Sequence, residues 1–295
     1  MMINGRYVFE VDETTSKLIE LALNEDIGPG DVTSGYFVPE SRMARGLIVA
    51  KEEGVIAGVE VAAEVFRRVD ESTEVRVLLE SGSHVSSRAY VMEVRGRARS
   101  LLSAERVALN FLQRLSGIAT KTRSFVSLVE GTGARILDTR KTTPGWRRLE
   151  KAAVVAGGGT NHRIGLYDRA MVKDNHLVAE GGIPALQKAI TRLQKEKPRV
   201  EVELEADRLD QVAEFLKMDG VDYILLDNMD LETMREAVAM RGENGPRLEA
   251  SGGVTLETVA EIAATGVDFI SVGALTHSAV ALDLSLEFMD GRDDE

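Results

Sequence analysis

VEVELEADRLDQVAEFLKMDGVDYILLD, residues 200–227, is one period of a rhythm that runs through the second half of the chain. Glu201, Glu203 and Glu205 alternate with Val202 and Leu204, so the three acids share one face of a short strand. A helix-length stretch over 207–217 follows, and then the apolar strand Tyr223-Ile224-Leu225-Leu226, which ends on Asp227. The spacing extends in both directions. It predicts strands at 135–138, 170–173, 200–205, 222–227, 247–251 and 268–272, with helices at 183–196, 207–217, 230–241 and 255–264. Strands separated by helices call for a parallel sheet. Closure into a barrel is the economical architecture, and an open doubly wound sheet is the alternative. Chemically capable residues gather where the strands end, which is the active face of a barrel.

The first half follows a different pattern and reads as an α+β domain. Asp12 can cap a helix that carries Leu18, Ile19, Ala22 and Leu23 on one face, and Gly28-Pro29-Gly30 ends it. Strands are expected at 45–51, 73–79 and 89–97, with a helix at 59–69. In the middle strand, Val75, Val77 and Leu79 would form the buried face. Leu102, Leu109, Leu112 and Leu115 recur at helical spacing. Ser116-Gly117 is expected to break that helix before a second one at 118–130, which sets a domain junction near 117.

The bulk numbers narrow the classes. With 295 residues, 44% of them hydrophobic, the chain can bury a large core as one barrel or as two domains. There is no run of eighteen apolar residues and no charged-then-apolar leader, so the expectation is a soluble cytoplasmic protein without a membrane span. The absence of cysteine removes disulfides, thiolate metal sites and thiol nucleophiles. A net charge of −12 and 5% aromatic content argue against a nucleic-acid partner.

Against that acidic background lies a basic island. Between Arg135 and His176 there are nine Lys or Arg against four acids, with His162, His176 and several hydroxyls among them. The mixture suits a polyanion pocket. Thr139-Arg140-Lys141-Thr142-Thr143 offers two cations and three hydroxyls after a strand. Asn161-His162-Arg163 follows Gly157–Gly159, which would allow a ligand close to the backbone. Lys173, at the end of a strand, could bind an anion, form a Schiff base or simply pair with Asp174. If the acidic face at 201–205 is interior, it needs a Lys partner or a divalent cation, with Mg²⁺ preferred for an oxygen-only donor set. Glu203 and Asp227 would share that ion, while Glu201 or Glu205 faces solvent or pairs with a Lys. Ser251, Gly252, Gly253, Gly273 and Ala274 follow the last two strands, where glycine amides and helix starts bind phosphate.

These motifs, taken in order, resemble the quinolinate phosphoribosyltransferase family, also called carboxylating nicotinate-nucleotide pyrophosphorylase. The likeness covers nearly the full length. It includes Glu25-Asp26-Ile27-Gly28, Glu105-Arg106, Leu115-Ser116-Gly117-Ile118-Ala119-Thr120, DTRKTTPG at 138–145, Asn161-His162-Arg163, Lys173-Asp174-Asn175-His176, Glu201-Val202-Glu203, Leu226-Asp227-Asn228, Ser251-Gly252-Gly253 and Gly273 to Ser278. The resemblance implies an amino-terminal α/β sandwich over 1–117 and an incompletely closed α/β barrel over 118–295, whose last residues pack back on the first domain. It also implies a homodimer, with higher assemblies such as hexamers in the family, and a reaction joining quinolinate to phosphoribosyl pyrophosphate with Mg²⁺. Carried over by motif, Arg140, His162 and Arg163 hold the quinolinate carboxylates, and Arg106 reaches in from the neighbouring subunit. Thr139, Lys141 and Lys173 serve the site's anionic groups, and Glu203 and Asp227 serve Mg²⁺ and the ribose. Ser251, Gly252, Gly253, Gly273 and Ala274 take the phosphate, supported by His277.

Three other readings stand beside this one. A molybdenum-locus homologue shares the fold, but Arg106, Arg140, His162 and Arg163 together disfavour it. A Schiff-base aldolase would use Lys173. A non-catalytic anion sensor would use the same pocket without turnover, against which the pair Glu203 and Asp227 argues.

Overall fold

The structure is a computed structural model that describes residues 9–173 and 182–289, with the backbone of Met2–Ile3 and Arg6–Tyr7. Asp174, Asn175 and His176 lie outside the described residues. In chain order the elements are β1 (Met2–Ile3), β2 (Arg6–Tyr7), α1 (Glu13–Ile27), α2 (Val32–Phe37), β3 (Met43–Ala50), β4 (Gly54–Val55), α3 (Val59–Val69), β5 (Glu74–Val77), β6 (His84–Val85), β7 (Tyr90–Arg97) and α4 (Ala98–Leu128). Then come β8 (Arg135–Leu137), α5 (Arg147–Ala156), β9 (Arg169–Val172), α6 (Ile183–Glu196), β10 (Glu201–Ala206), α7 (Leu209–Phe215), β11 (Tyr223–Asp227), α8 (Leu231–Arg241), β12 (Arg247–Ser251), α9 (Val259–Ala263), β13 (Phe269–Ser271), α10 (Ala274–His277) and β14 (Leu284–Phe288). The backbone divides into two compact units. The first takes in residues 1–123, 142–158 and 275–295, and the second 124–141 and 159–274.

In the first unit, local signals set the helix ends. The Asp12 carboxylate accepts the Thr15 amide at 2.9 Å and caps α1, and Gly28 ends it at φ 52°. An antiparallel sheet in the order β14-β3-β7-β5 carries the core residues Ile48, Met92 and Val94, all buried. β5 is an edge strand, so the face expected to be buried is only partly covered, and Val77 is exposed. The Ser116-Gly117 break does not occur: α4 is one helix of 31 residues. Val280 explains the glycine. Its carbonyl occupies the place where a Cβ on residue 117 would stand, and Leu282 N–H bonds the helix carbonyl of Gln113 at 3.0 Å. Gly157 is a similar case, because a Cβ there would meet the Ala119 carbonyl and the Thr122 side chain. That glycine serves packing on α4, not the close ligand approach expected of it.

In the second unit, six parallel strands run in the order β8-β13-β12-β11-β10-β9. From β9 to β13 each strand joins its successor, and the first strand, β8, pairs with the last. A doubly wound sheet would reverse direction at a switch point, so this winding is that of a barrel. Hydrogen bonds do not close it between β8 and β9, though Thr160 bridges Leu137 on the free side of β8. Register aligns the inward residues: Met171 pairs with Glu203 and Glu203 with Tyr223, Leu225 pairs with Glu249, and Asp227 pairs with Ser251. The opposite face carries Val202, Leu204, Ile224, Leu226, Leu248 and Ile270, all buried. Inside, Tyr223 and Phe269 pack with Leu137, and the Arg169 guanidinium lies 4.1 Å from the Tyr223 ring centroid.

Gly117→Ala should therefore lower unfolding stability by about 1–3 kcal/mol, the range for forcing atoms into a packed site. Gly35→Ala, in α2 with open space around its Cβ position, should gain up to about 1 kcal/mol from helix propensity. Urea denaturation of both variants checks the pair.

Candidate active site

The interior of the second unit is charged. Glu203 and Glu249 have no solvent exposure, and His162 is buried between them: its Nε2 lies 3.2 Å from Glu203 Oε2 and 3.5 Å from Glu249 Oε1. Ser271 donates its hydroxyl to Glu249. Arg169 Nη1 approaches Glu203 at 3.6 Å while Nη2 bonds Glu201 at 3.0 Å. Glu201 is the solvent-facing acid of the three on β10, and Glu205 pairs with Lys173. The Lys173 ion pair is thus with Glu205, across two paired strands.

Neighbouring segments hold His162 in place. Asp138, buried at the end of β8, accepts the His162 amide at 2.9 Å. Arg163 N–H donates to His162 Nδ1 at 2.7 Å, which puts the proton of the neutral ring on Nε2, facing both carboxylates. Burial alone would lower the ring's pKa. Hydrogen bonding to Glu203 and Glu249, with their charges, outweighs it and raises the value to about 9. Glu203 is pulled below the usual carboxylate range despite its burial, by His162 first and then Arg169, whereas burial pushes Glu249 up. Of the two acids, Glu203 is the one whose surroundings favour the ionised form.

Among the described residues, His162, Glu203 and Glu249 are the cluster whose donor atoms, all within 4.8 Å of one another, could hold a metal ion. Protein groups already partner both acids, however, with His162 Nε2 between them and Arg169 beside Glu203. Asp227 lies elsewhere: Glu203 pairs with Tyr223, so Asp227 stands four residues further along β11, roughly 13 Å at strand rise. An ion serving both Glu203 and Asp227 would reach at least one of them through substrate oxygens or water. The donor set itself, carboxylate oxygens without thiolate, fits a hard cation, and the buried Glu203 Oε2 has ion-pair contacts to His162 and Arg169 but no contact of hydrogen-bond geometry.

Around the strand ends, Thr139 and Arg140 are half-buried, and Thr139 Oγ1 accepts the Lys141 amide at 3.1 Å. Arg163 is held by the Arg169 carbonyl at 3.1 Å and by Met171 Sδ at 3.4 Å. Burial, and next the Arg140 guanidinium, press Arg163 below the usual arginine range. Two like charges brought this close favour an anion. Ser251 is half-buried, Gly252 and Gly253 are exposed, and Gly273 and Ala274 are half-buried after β13. Gly252, at φ 99°, packs on Asn228, whose backbone would stand 3.0 Å from an added Cβ. Glycine at that position therefore fastens the ends of β11 and β12 whatever ligand it meets. In the first unit, Arg106 is exposed on α4, and His277 Nδ1 lies 2.6 Å from Ser278 Oγ.

The basic island is divided between the two units. Arg147, Arg148 and Lys151 sit on α5 in the first unit, where Arg148 pairs with Asp12 and Lys151 is buried. Sequence reading missed Arg169, Glu249 and Ser271. The signal was alternation, because Arg247, Glu249 and Ser251 share the inward face of β12, so an acid stands midway along an otherwise apolar strand.

Residues 31–116 match the family described as Quinolinate phosphoribosyl transferase, N-terminal domain, and residues 118–287 match its C-terminal domain. The chain is 43% identical over 271 residues to a Bacillus subtilis protein named probable nicotinate-nucleotide pyrophosphorylase [carboxylating], covering 92% of each. It is 43% identical over 287 residues to the chloroplastic nicotinate-nucleotide pyrophosphorylase [carboxylating] of Oryza sativa subsp. japonica, covering 92% of this chain and 76% of that one. The crystal structure of NadC from Streptococcus pyogenes superposes with a TM-score of 0.89 at 37% identity, covering 97% of this chain and all of that one.

The raised pKa of His162 has a sign. Its stabilising contribution is whole below the unfolded-state value near 6.5 and is lost as pH rises through about 9. In NMR titration, the His162 ring should take its midpoint near the raised value of about 9, and Glu203→Gln should bring it down. Unfolding free energy measured from roughly pH 6 to pH 10 should fall more steeply in the wild type than in His162→Gln.

Proposed function

Because the chain belongs to the quinolinate phosphoribosyltransferase family, we propose that it transfers a phosphoribosyl group from phosphoribosyl pyrophosphate to quinolinate, with decarboxylation. The products are nicotinate mononucleotide, pyrophosphate and carbon dioxide, as NAD synthesis requires. The observation that carries this reading is the crowded pair Arg140 and Arg163 beside the buried His162, a cationic corner suited to a dicarboxylate. Arg140 and Arg163 bind the two carboxylates, and His162, with Nε2 held by Glu203 and Glu249, sets the depth of the pocket. Lys141 and Lys173 serve the phosphates, and Thr139, Ser251, Gly252, Gly253, Gly273, Ala274 and His277 supply hydroxyl, amide and imidazole donors.

The chemistry follows from charge. The ring nitrogen of quinolinate attacks the anomeric carbon, forming the N–C bond as the bond to pyrophosphate oxygen breaks. Positive charge grows on the ribose while negative charge grows on the leaving group. Carboxylates on the ribose side stabilise the first and the lysines the second. The ribosylated nitrogen is then cationic and accepts the electrons released when the adjacent carboxylate leaves as carbon dioxide, and a proton is taken up at that carbon. Asp227 and Glu203 are the residues to hold Mg²⁺, which when bound supplies charge neutralisation at the diphosphate.

A homodimer in which Arg106 serves the partner's site, and a cytoplasmic setting, belong to the same proposal. Support comes from the exposure of Arg106 on α4 and from the lack, among the described residues, of any helix long and apolar enough to cross a membrane. A Schiff-base role for Lys173 is less well supported, because its ammonium is paired with Glu205.

The deciding assay follows nicotinate mononucleotide and carbon dioxide from quinolinate, phosphoribosyl pyrophosphate and Mg²⁺, with nicotinate as a parallel substrate. Equimolar products from quinolinate alone are expected, and folded protein without turnover would sink the reading. Arg140→Lys and Arg163→Lys should each raise KM for quinolinate about 10- to 100-fold, the equivalent of a lost charge-assisted bond. Mixing inactive Arg106→Ala with inactive Lys141→Ala should partly restore activity. Mixed dimers that stay inactive would remove Arg106 from the partner's site.

A further inference from the structure

One ion pair in the first unit, buried at its carboxylate and half-buried at its guanidinium, spends its bonds on the two segments that lead into the ligand loops. Glu150, on α5, is fully buried. Its Oε2 accepts the Thr143 amide at 3.1 Å, and its Oε1 accepts the Thr143 hydroxyl at 2.8 Å and Arg114 Nη2 at 2.9 Å. Arg114, on α4, spends its other contacts on the carbonyls of Thr276, at 2.5 Å from Nη2, and Ala279, at 2.9 Å from Nη1. Thr143 lies three residues after Arg140 and two after Lys141; Thr276 lies three after Gly273 and one before His277. α4 offers one face to this turn. Arg114, Gly117 and Lys121 follow at helical spacing, Gly117 leaves room for the Val280 carbonyl, and Lys121 bonds the Ser278 carbonyl at 2.9 Å.

An ion pair with a buried carboxylate, kept only for stability, could be replaced by well-packed apolar residues at little loss. This one spends every remaining bond on Thr143, Thr276 and Ala279, which lie on two stretches far apart in sequence. Neither Arg114 nor Glu150 carries any motif of its own.

We propose that Glu150, acting through Arg114, is a positioning residue for the reaction: the pair ties Thr143, two residues after Lys141, to the turn carrying His277, so that these two anchors of the anion-binding loops are set together. This rests on the functional reading above for what the loops bind. The pair touches no substrate and moves no proton. Its effect is geometric, and reactions of this kind lose about a hundredfold in rate for a misplacement near 1 Å.

The test uses Glu150→Gln and the double variant Arg114→Met/Glu150→Leu, in the full-length protein. Glu150→Gln leaves the Arg114 charge without its counter-ion and should lower the melting temperature. The double variant buries no charge, so its melting temperature should return toward the wild type. If the pair positions the loops, KM for both quinolinate and phosphoribosyl pyrophosphate stays raised about tenfold or more in the double variant. Hydrogen exchange should also quicken in the peptides spanning 139–146 and 273–281, and in both together. Recovery of both KM values along with stability would mark the pair as merely structural and overturn the proposal. Faster exchange in one segment alone would overturn it equally. Wild-type turnover is the control: its absence sinks the functional reading, while the exchange result still decides whether the loops are tied.

Discussion

Placing Glu203 and Glu249 inside a parallel barrel is the constraint on which the rest of the second unit depends. Taking a carboxylate out of water costs several kcal/mol after relaxation, and two side by side cost more. The interior answers with His162 between them, Arg169 at the rim of Glu203 and Ser271 on Glu249. For the imidazole to reach that depth, the chain around 159–163 must be fastened to the open edge of the sheet. Thr160 bridges Leu137, Asp138 takes the His162 amide, and Arg163 returns its own amide to the ring. The incomplete closure of the barrel and the charged interior are therefore connected, because the gap beside β8 is where the histidine enters.

The first unit solves a different problem, that of close backbone approach. Glycines at 117 and 157 let carbonyls of Val280 and Ala119 lie where side chains would otherwise stand. A mid-helix glycine costs about 1 kcal/mol relative to alanine. α4 bears that cost because Leu112, Leu115, Ile118 and Ala119 around Gly117 are buried and because the 276–281 turn seats directly on the helix. The Arg114–Glu150 pair occupies the same face, which makes α4 a ruler against which distant segments are set.

Much of this was legible before any fold was in view. Asp12 and Gly28 mark the ends of α1 by chemistry confined to a few residues, and the helix at 183–196 appears with its expected bounds. The parallel strands follow from apolar runs at regular spacing. Arg140, His162, Arg163, Glu203 and Asp227 could be singled out as candidates because their motifs are short and ordered. Glu249 and Arg169 were missed although strand alternation pointed inward at both, since each looks like an ordinary surface charge until its neighbours across the barrel are known. The glycine at 117 was misread as a helix breaker for the same reason: propensity is local, while the group that requires the glycine is more than 160 residues away.

The sequence by itself determined the class of architecture and the family, and it singled out the candidate anion-binding groups, because strand periodicity, capping chemistry and cation-rich motifs are written within a few residues of each other. The tertiary structure alone decided which acids are paired, which proton His162 carries, how far Asp227 stands from Glu203, and which glycines serve packing. Those depend on distances between segments remote in the chain. Burial then sets their energetics, since the same carboxylate is cheap in water and expensive between β10 and β12.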